Sequence, residues 1–320
     1  MAITKQEAET TVYEAAHHAA VLVDRSELGM LKVTGETRLD LIHRMSTQAV
    51  ADLASGQGAA TILTTDIGRI IDRLILYVAE KAVYVVTGEN NADAIARYLM
   101  RFVFFQDDFH MQDISAETAV LAVYGPQAEA RLTAAGLPAG ELPLHHWRQA
   151  EVAGVTAYVH RTDPIAGDGY FVTCEAADRE VVWQQLLGAG LVPADEAMFE
   201  LLRIEAGLPR FGRELTGDYI PLEANLWDDV SFTKGCYIGQ EIIARMESRG
   251  RLAKKLVRLR LDAPVDAGVE ITAGGRRVGV ITSAAVGPNG PVALGYVKTA
   301  VLHGRAALTA GEIRLRPEVD

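Results

Sequence analysis

Cysteine is nearly absent: the 320-residue chain carries only Cys174 and Cys236. Two thiols build no disulfide framework, and neither stands in a Cys-x-x-Cys or His-x-x-x-His pattern with metal-ligand spacing, so no metal site is expected. Long hydrophobic runs are missing as well. No segment reaches the ~20 apolar residues of a membrane span. The first residues, with Glu7, Glu9 and Glu14, read neither as a secretory leader nor as an Arg-rich transit peptide. Positive charge is in deficit, and a formal net charge of −11 argues against an extended phosphate-binding face. Neither nucleic acid nor membrane is expected as a partner, and a reduced cytoplasm is the expected location.

What is present is apolar mass. Hydrophobic residues make up 49% of the chain, enough for a large core and two or three domains. Residues 30–34 alternate and end at Gly35, while Leu39, Ile42 and Met45 recur at helical spacing. Strands follow at 59–63, 69–78 and 82–87, then a helix opened by Asn90 or Asn91 and a strand over 109–114. Such content suits an α+β fold, an antiparallel sheet with helices on one face. A second unit starts with a buried strand at 118–124, broken by Gly125-Pro126; strands at 152–160 and 170–174 and helices at 181–187 and 197–206 continue it. After Arg251 the texture changes to short strands between Gly and Pro turns, which predicts a small β-barrel over 251–320 behind an α+β region over 1–250.

The densest run of functional residue types is Lys234-Gly235-Cys236-Tyr237-Ile238-Gly239-Gln240-Glu241. Two glycines permit a tight turn, and Ile242, Ile243 and Met246 read as the start of a helix. Cys236 is thus expected just ahead of a helix N-terminus, where orphan amides and the Lys234 ammonium would favour a thiolate. The other reading of such a cysteine is a small buried hydrophobe. His17-His18 and His145-His146 read as surface or capping residues rather than chelators.

This run resembles the signature of the YgfZ family of folate-binding proteins, relatives of the glycine-cleavage T-protein (aminomethyltransferase). Arg203-Ile204-Glu205-Ala206-Gly207-Leu208-Pro209, with Gly212 and Glu214, is similar to a stretch shared by both groups. Residues 121–128 (LAVYGPQA) resemble a further family motif, and Gly68-Arg69-Ile70-Ile71-Asp72, followed by Leu74-Ile75-Leu76, is similar to the T-protein pattern G-x-x-x-D-D-L-I-V. The resemblance implies a T-protein-like fold: two interleaved α+β subdomains, one ferredoxin-like, with breaks near 34 and 118, and a C-terminal β-barrel around a central folate channel. It implies tetrahydrofolate or a derivative as cofactor. Glu205 would take the pterin edge, since one carboxylate accepts two parallel hydrogen bonds from an aminopyrimidinone. Arg203, Lys234 and Tyr237 would complete the folate site, with Trp227 a further stacking candidate, and Cys236 and Asp72 would supply the chemistry. Asp72 is either a proton-transfer group in an apolar pocket or an outward polar residue on a strand. The second aspartate of the T-protein pair is Arg73 here.

Two functions of different class follow from the resemblance. One is a folate-binding accessory protein that serves iron–sulfur client enzymes, including tRNA-modifying ones, as a helper holding no cluster itself. The other is a tetrahydrofolate-dependent one-carbon transferase or demethylase. The thiol of Cys236, absent from the F-I-G-R-E counterpart in T-proteins, favours the first.

Overall fold

The computed structural model describes residues 5–302, 304 and 307–318. Helix α1 (Lys5–His18) and strand β1 (Val21–Asp24) precede β2 (Leu28–Thr34), α2 (Arg38–Met45), β3 (Gly58–Thr64), β4 (Ile70–Val78) and β5 (Val83–Glu89). Helix α3 (Ala92–Met100) and β6 (His110–Asp113) complete the first unit, a five-stranded antiparallel sheet in the order β3-β4-β5-β2-β6. Its strands alternate, so Leu31, Val33, Leu63, Leu74 and Leu76 pack under α2 and α3 while Met30, Ile62, Ile75 and Tyr77 face the centre of the molecule.

The second unit contains β7 (Thr118–Gly125), α4 (Ala128–Ala134), β8 (Trp147–Val152), β9 (Val155–Thr162), β10 (Asp168–Glu175), α5 (Arg179–Gly188), β11 (Val192–Pro193) and α6 (Glu196–Glu205). Its six-stranded sheet runs β11-β1-β7-β10-β9-β8. Strand β1 pairs with β7 and β11, so the chain starts in the second sheet, leaves it for the first, and returns. The crossing lies between Asp24 and Leu28 rather than near 34, because the first pairing partner of the N-terminal segment is almost a hundred positions away.

A linking segment with α7 (Gln240–Arg249) leads to β12 (Lys254–Leu261), β13 (Glu270–Ala273), β14 (Arg276–Gly287), β15 (Gly290–Lys298), α8 (Thr299–Leu302), β16 (Leu308–Ala310) and β17 (Ile313–Glu318). These six strands close as a barrel, as the short strands and Gly turns predict. Closure leaves no unpaired edge. Gly287 lets β14 approach α6, since a Cβ there would stand 2.9 Å from Leu201 Cδ1. Two α+β subdomains and a barrel thus pack together on α6.

Candidate functional site

A cavity of about 100 Å3 lies where the two sheets meet α6. Its charged lining is Arg25, Asp72, Arg73, Glu89, Asp163, Arg203 and Arg210, and Phe199, Phe211, Tyr124 and Phe171 supply aromatic side chains. Glu89, at the end of β5, accepts from Arg25 Nη2 (2.5 Å) and Arg210 Nε (2.8 Å), both at Oε1. Its Oε2 keeps no hydrogen-bond partner among the described residues. The Arg25 guanidinium lies 3.8 Å from the centre of the Phe199 ring, a cation–π contact. Gly88 is required here: a Cβ would fall 2.3 Å from Phe211 Cγ.

Arg73 closes one side of this cavity. Its Nη1 and Nη2 donate to Asp163 (2.7 and 3.0 Å), and its Nε donates to Asp229 (2.6 Å). Burial works against the charge on Asp163, yet the Arg73 guanidinium holds that carboxyl below its usual range. Beyond the clamp lies a wider recess of about 470 Å3, which shares Arg73, Asp163, Leu208 and Pro209 with the cavity. His145, expected at the surface, is buried in this recess, and burial lowers its pKa.

Alternation along β4 decides the roles of residues 72 and 73. Ile75 and Tyr77 enter the central core and Leu74 and Leu76 the core under the helices, so the Arg73 side chain projects into the cavity, while Asp72, which also lines it, turns its carboxylate toward the start of α3. Asp72 is completely buried. Its carboxylate accepts from Gly88 N (2.9 Å), Asn91 Nδ2 (2.8 Å) and Arg73 N (2.8 Å). Burial nevertheless pushes its pKa up to about 6. The Asp72 carboxylate thus reaches the cavity wall with its oxygens engaged at the start of α3, and Arg73 beside it projects its guanidinium into the cavity.

The Lys234–Glu241 loop docks on the first subdomain. Lys234 Nζ donates to the carbonyls of His43, Ser46 (2.8 Å) and Gln48 (2.9 Å), placing a cation on the last carbonyls of α2. Burial pushes its pKa down to about 8. Having used its three donors, Lys234 is not available to a folate tail or to Cys236, which corrects both expected roles. Tyr237 is buried, with the Lys234 ammonium 5.2 Å from its ring centre, and Trp227 is 38% exposed. Neither lines the cavity. Cys236 is exposed and unbridged. Helix α7 begins at Gln240 with Gly239 as N-cap, so Cys236 precedes the helix in the loop that leads into it.

Gly239 fixes this loop. Its φ is +84°, and a Cβ would sit 2.5 Å from Thr65 O and 2.8 Å from Gly68 Cα. Thr64 Oγ1 donates to Ile238 O beside it (2.6 Å). Gly239→Ala is expected to cost ~1–3 kcal/mol from the backbone conformation alone. Gly235→Ala, with open space around the added methyl, stays within ~0.5 kcal/mol. Urea denaturation of the two variants checks this, and equal effects would remove the anchoring role of Gly239.

Arg203 and Glu205, two residues apart on α6, point to opposite sides. Arg203 is buried and ion-paired to Glu214 (2.7 Å) and Glu200, so its guanidinium reaches the cavity wall already engaged by two carboxylates. Glu205 turns from the cavity toward α1, where Tyr13 Oη donates to both its oxygens (3.1 and 3.2 Å) and His17 Nε2 lies 3.4 Å away. The carboxylate expected at the pterin edge therefore clasps the N-terminal helix. Glu89, Arg25, Arg210, Asp163 and Phe211, which line the cavity, carry no signal in the sequence; Glu89 and Arg210 are 121 positions apart. Among the described residues no cluster of His, Cys, Asp and Glu could hold a metal ion, and no helix is long and apolar enough to cross a membrane.

Two sheets clasped about a charged cavity, with a closed barrel behind them, define a T-protein-type architecture. The chain belongs to the glycine cleavage T-protein family: residues 4–234 match the GCVT N-terminal domain and residues 254–314 the glycine cleavage T-protein C-terminal barrel domain. It is 31% identical to a chloroplastic protein of Arabidopsis thaliana named as a transferase, over 93% of this chain and 70% of that one. It is 32% identical to an aminomethyltransferase of Symbiobacterium thermophilum, over 90% of this chain and 81% of that one. The crystal structure of glycine cleavage system aminomethyltransferase T from Bartonella henselae is similar, with TM-score 0.85 and 26% identity over 97% of this chain and 88% of that one.

Proposed function

We propose that this member of the family is a folate-binding accessory protein of YgfZ type. It supports the assembly or repair of iron–sulfur clusters in client enzymes, tRNA-modifying enzymes among them, and does not act as an aminomethyltransferase. The observation that carries this reading is Arg73. T-proteins resembling residues 68–76 have an aspartate at that position, and here a guanidinium faces the cavity and engages the carboxylates of Asp163 and Asp229. Glu89 is likewise paired with two arginines. A cavity whose Glu89 and Asp163 carboxylates are paired with guanidinium groups is suited to holding a ligand, and its remaining carboxylate, Asp72, already accepts three hydrogen bonds from the protein, which leaves the cavity poorly suited to moving protons from that ligand.

Tetrahydrofolate fits the residues present. The bare Oε2 of Glu89 offers an acceptor to the N–H groups of a pterin edge, and Phe211 and Phe171 offer aromatic contact. The cavity by itself is below the ~300–1,000 Å3 of ordinary ligand sites, so the adjoining recess would hold the rest of the molecule. When bound, the folate supplies a one-carbon carrier, and the protein supplies orientation and exclusion of water.

Calorimetry with tetrahydrofolate tests the site. Glu89→Gln is expected to weaken binding at least about tenfold, and Glu205→Gln to leave it within about twofold. The opposite ranking would return the pterin edge to Glu205. A deletion strain tests the function: iron–sulfur enzyme activities fall while glycine-cleavage activity stays unchanged. A fall in glycine cleavage alone would make the protein an aminomethyltransferase.

A further inference from the structure

We infer that the cleft between the two sheets, on the side away from the Arg73 clamp, is a second ligand site. Its ligand is a planar heteroaromatic molecule with an amino-bearing edge at one end and an anionic group at the other. The cleft measures about 510 Å3. That lies inside the ~300–1,000 Å3 range of small-molecule sites, which favour interfaces between domains.

The strand registers set out its two walls. On the first sheet Lys32 pairs with Tyr84 on one side and Gln112 on the other, so the three side chains form one row on one face. Met30 lies two residues along, about 6.7 Å away, level with Ile114, and Glu117 and Thr118 follow beyond it. On the second sheet Tyr158 and His160 share a face of β9, with Thr173 opposite Tyr158 and Glu175 next on that face of β10. Trp147 donates its Nε1 to Val78 O (2.9 Å). Its ring lies near-parallel to His160 and 5.6 Å from Tyr158.

The cleft therefore has aromatic walls, a cationic end at Lys32 and an acidic end at Glu117 and Glu175. Among the described residues no hydrogen bond or ion pair engages the Lys32 ammonium, the Tyr84 and Tyr158 hydroxyls, or the carboxylates of Glu117 and Glu175. These groups differ from the central cavity, where arginines and carboxylates neutralise one another. A flat ring that stacks on Tyr158 meets Trp147, tilted 59° to Tyr158, edge to face, its amino edge donates to Glu117 or Glu175, and its anionic group meets Lys32. A nucleotide has this chemistry, and so does a second folate molecule.

Calorimetry of the full chain with AMP and, separately, with 5-formyltetrahydrofolate distinguishes the two sources. At least one probe is expected to bind with a Kd below ~1 mM. Tyr158→Ala and Lys32→Ser should each weaken that binding at least about fivefold, in line with the loss of one stacking partner. Glu89→Gln, which lies in the central cavity, should leave it unchanged. A second 5-formyltetrahydrofolate binding event lost in Tyr158→Ala and kept in Glu89→Gln supports a folate in the cleft; AMP binding with the same pattern supports a nucleotide. Thermal midpoints of the variants, near that of the parent protein, exclude misfolding as the cause. No binding of either probe, or binding indifferent to both cleft variants, overturns the inference and leaves the central-cavity reading untouched.

Discussion

Arg203→Met is expected to remove about 3–5 kcal/mol of stability, the typical cost of breaking a buried ion pair by deleting one partner. Arg203 joins three parts of the molecule from the last turn of α6. Its Nη1 donates to Glu214 (2.7 Å) in the loop after α6, its Nη2 to Ser283 Oγ (2.5 Å) in the barrel strand β14, and its Nε to Glu200 (2.6 Å) one turn back. Glu214 has no solvent exposure. Deleting the guanidinium leaves a carboxylate with the Ser283 hydroxyl (2.6 Å) and the Arg210 amide (3.0 Å) as donors and no counter-charge. The barrel should loosen from the body first, because Ser283 and the Tyr296 hydroxyl, which donates to Glu214 O, both reach across that junction. Pairing the change with Glu214→Gln removes the stranded charge and should recover part of the loss. Urea denaturation of parent, single and double variants checks both statements. A single variant within ~1 kcal/mol of the parent would mean that the pair contributes little beyond its own desolvation.

The barrel and the first sheet were legible in the sequence because their signals are local. Short alternating strands between glycine turns after Arg251, and Leu39, Ile42 and Met45 at helical spacing, record backbone geometry within a few residues of themselves. The helix at 196–205 was legible for the same reason: Asp195 accepts from Met198 N at its start and buried residues recur along it. Strand β8 was missed, because Trp147, Gln149 and Glu151 mix one aromatic with polar residues and the strand exists only through its pairing with β9. The site was far less legible. Family motifs pointed to Arg203, Glu205 and Lys234, but all three spend their side chains on structure: a buried pair, a clasp on α1 and a helix cap. What lines the cavity comes from strands of both sheets, from α6 and from the loop after it, segments that meet only in the folded chain. Strand parity could have drawn attention to Arg73 in advance: Ile75 and Tyr77 share parity with residue 73, so its side chain projects toward the centre of the molecule beside Asp72.

Cys236→Ser is expected to abolish rescue of iron–sulfur enzyme activity in a deletion strain while leaving the thermal midpoint and folate affinity of the protein unchanged. Both halves follow from where the thiol stands. Cys236 is exposed on a loop whose flanks are fixed, by Lys234 on the carbonyls after α2 and by Gly239 against Thr65, so a serine of nearly the same size disturbs no packing. The thiol lies outside the cavity that would hold the folate, hence the unchanged affinity. Phe232, at 42% exposure, and Trp227 leave apolar surface open near it in the chain, a setting in which a client protein could be met by a held sulfur nucleophile. Cys174 provides the control. It is buried in β10, and burial pushes its thiol up to about 11, so Cys174→Ser should still rescue, at some cost in stability. Iodoacetamide on the folded protein should accordingly modify Cys236 alone, with Cys174 reacting only after denaturation, as read by mass spectrometry. Full rescue by Cys236→Ser would remove the thiol from the function and leave the loop as an anchor between the linking segment and the first subdomain.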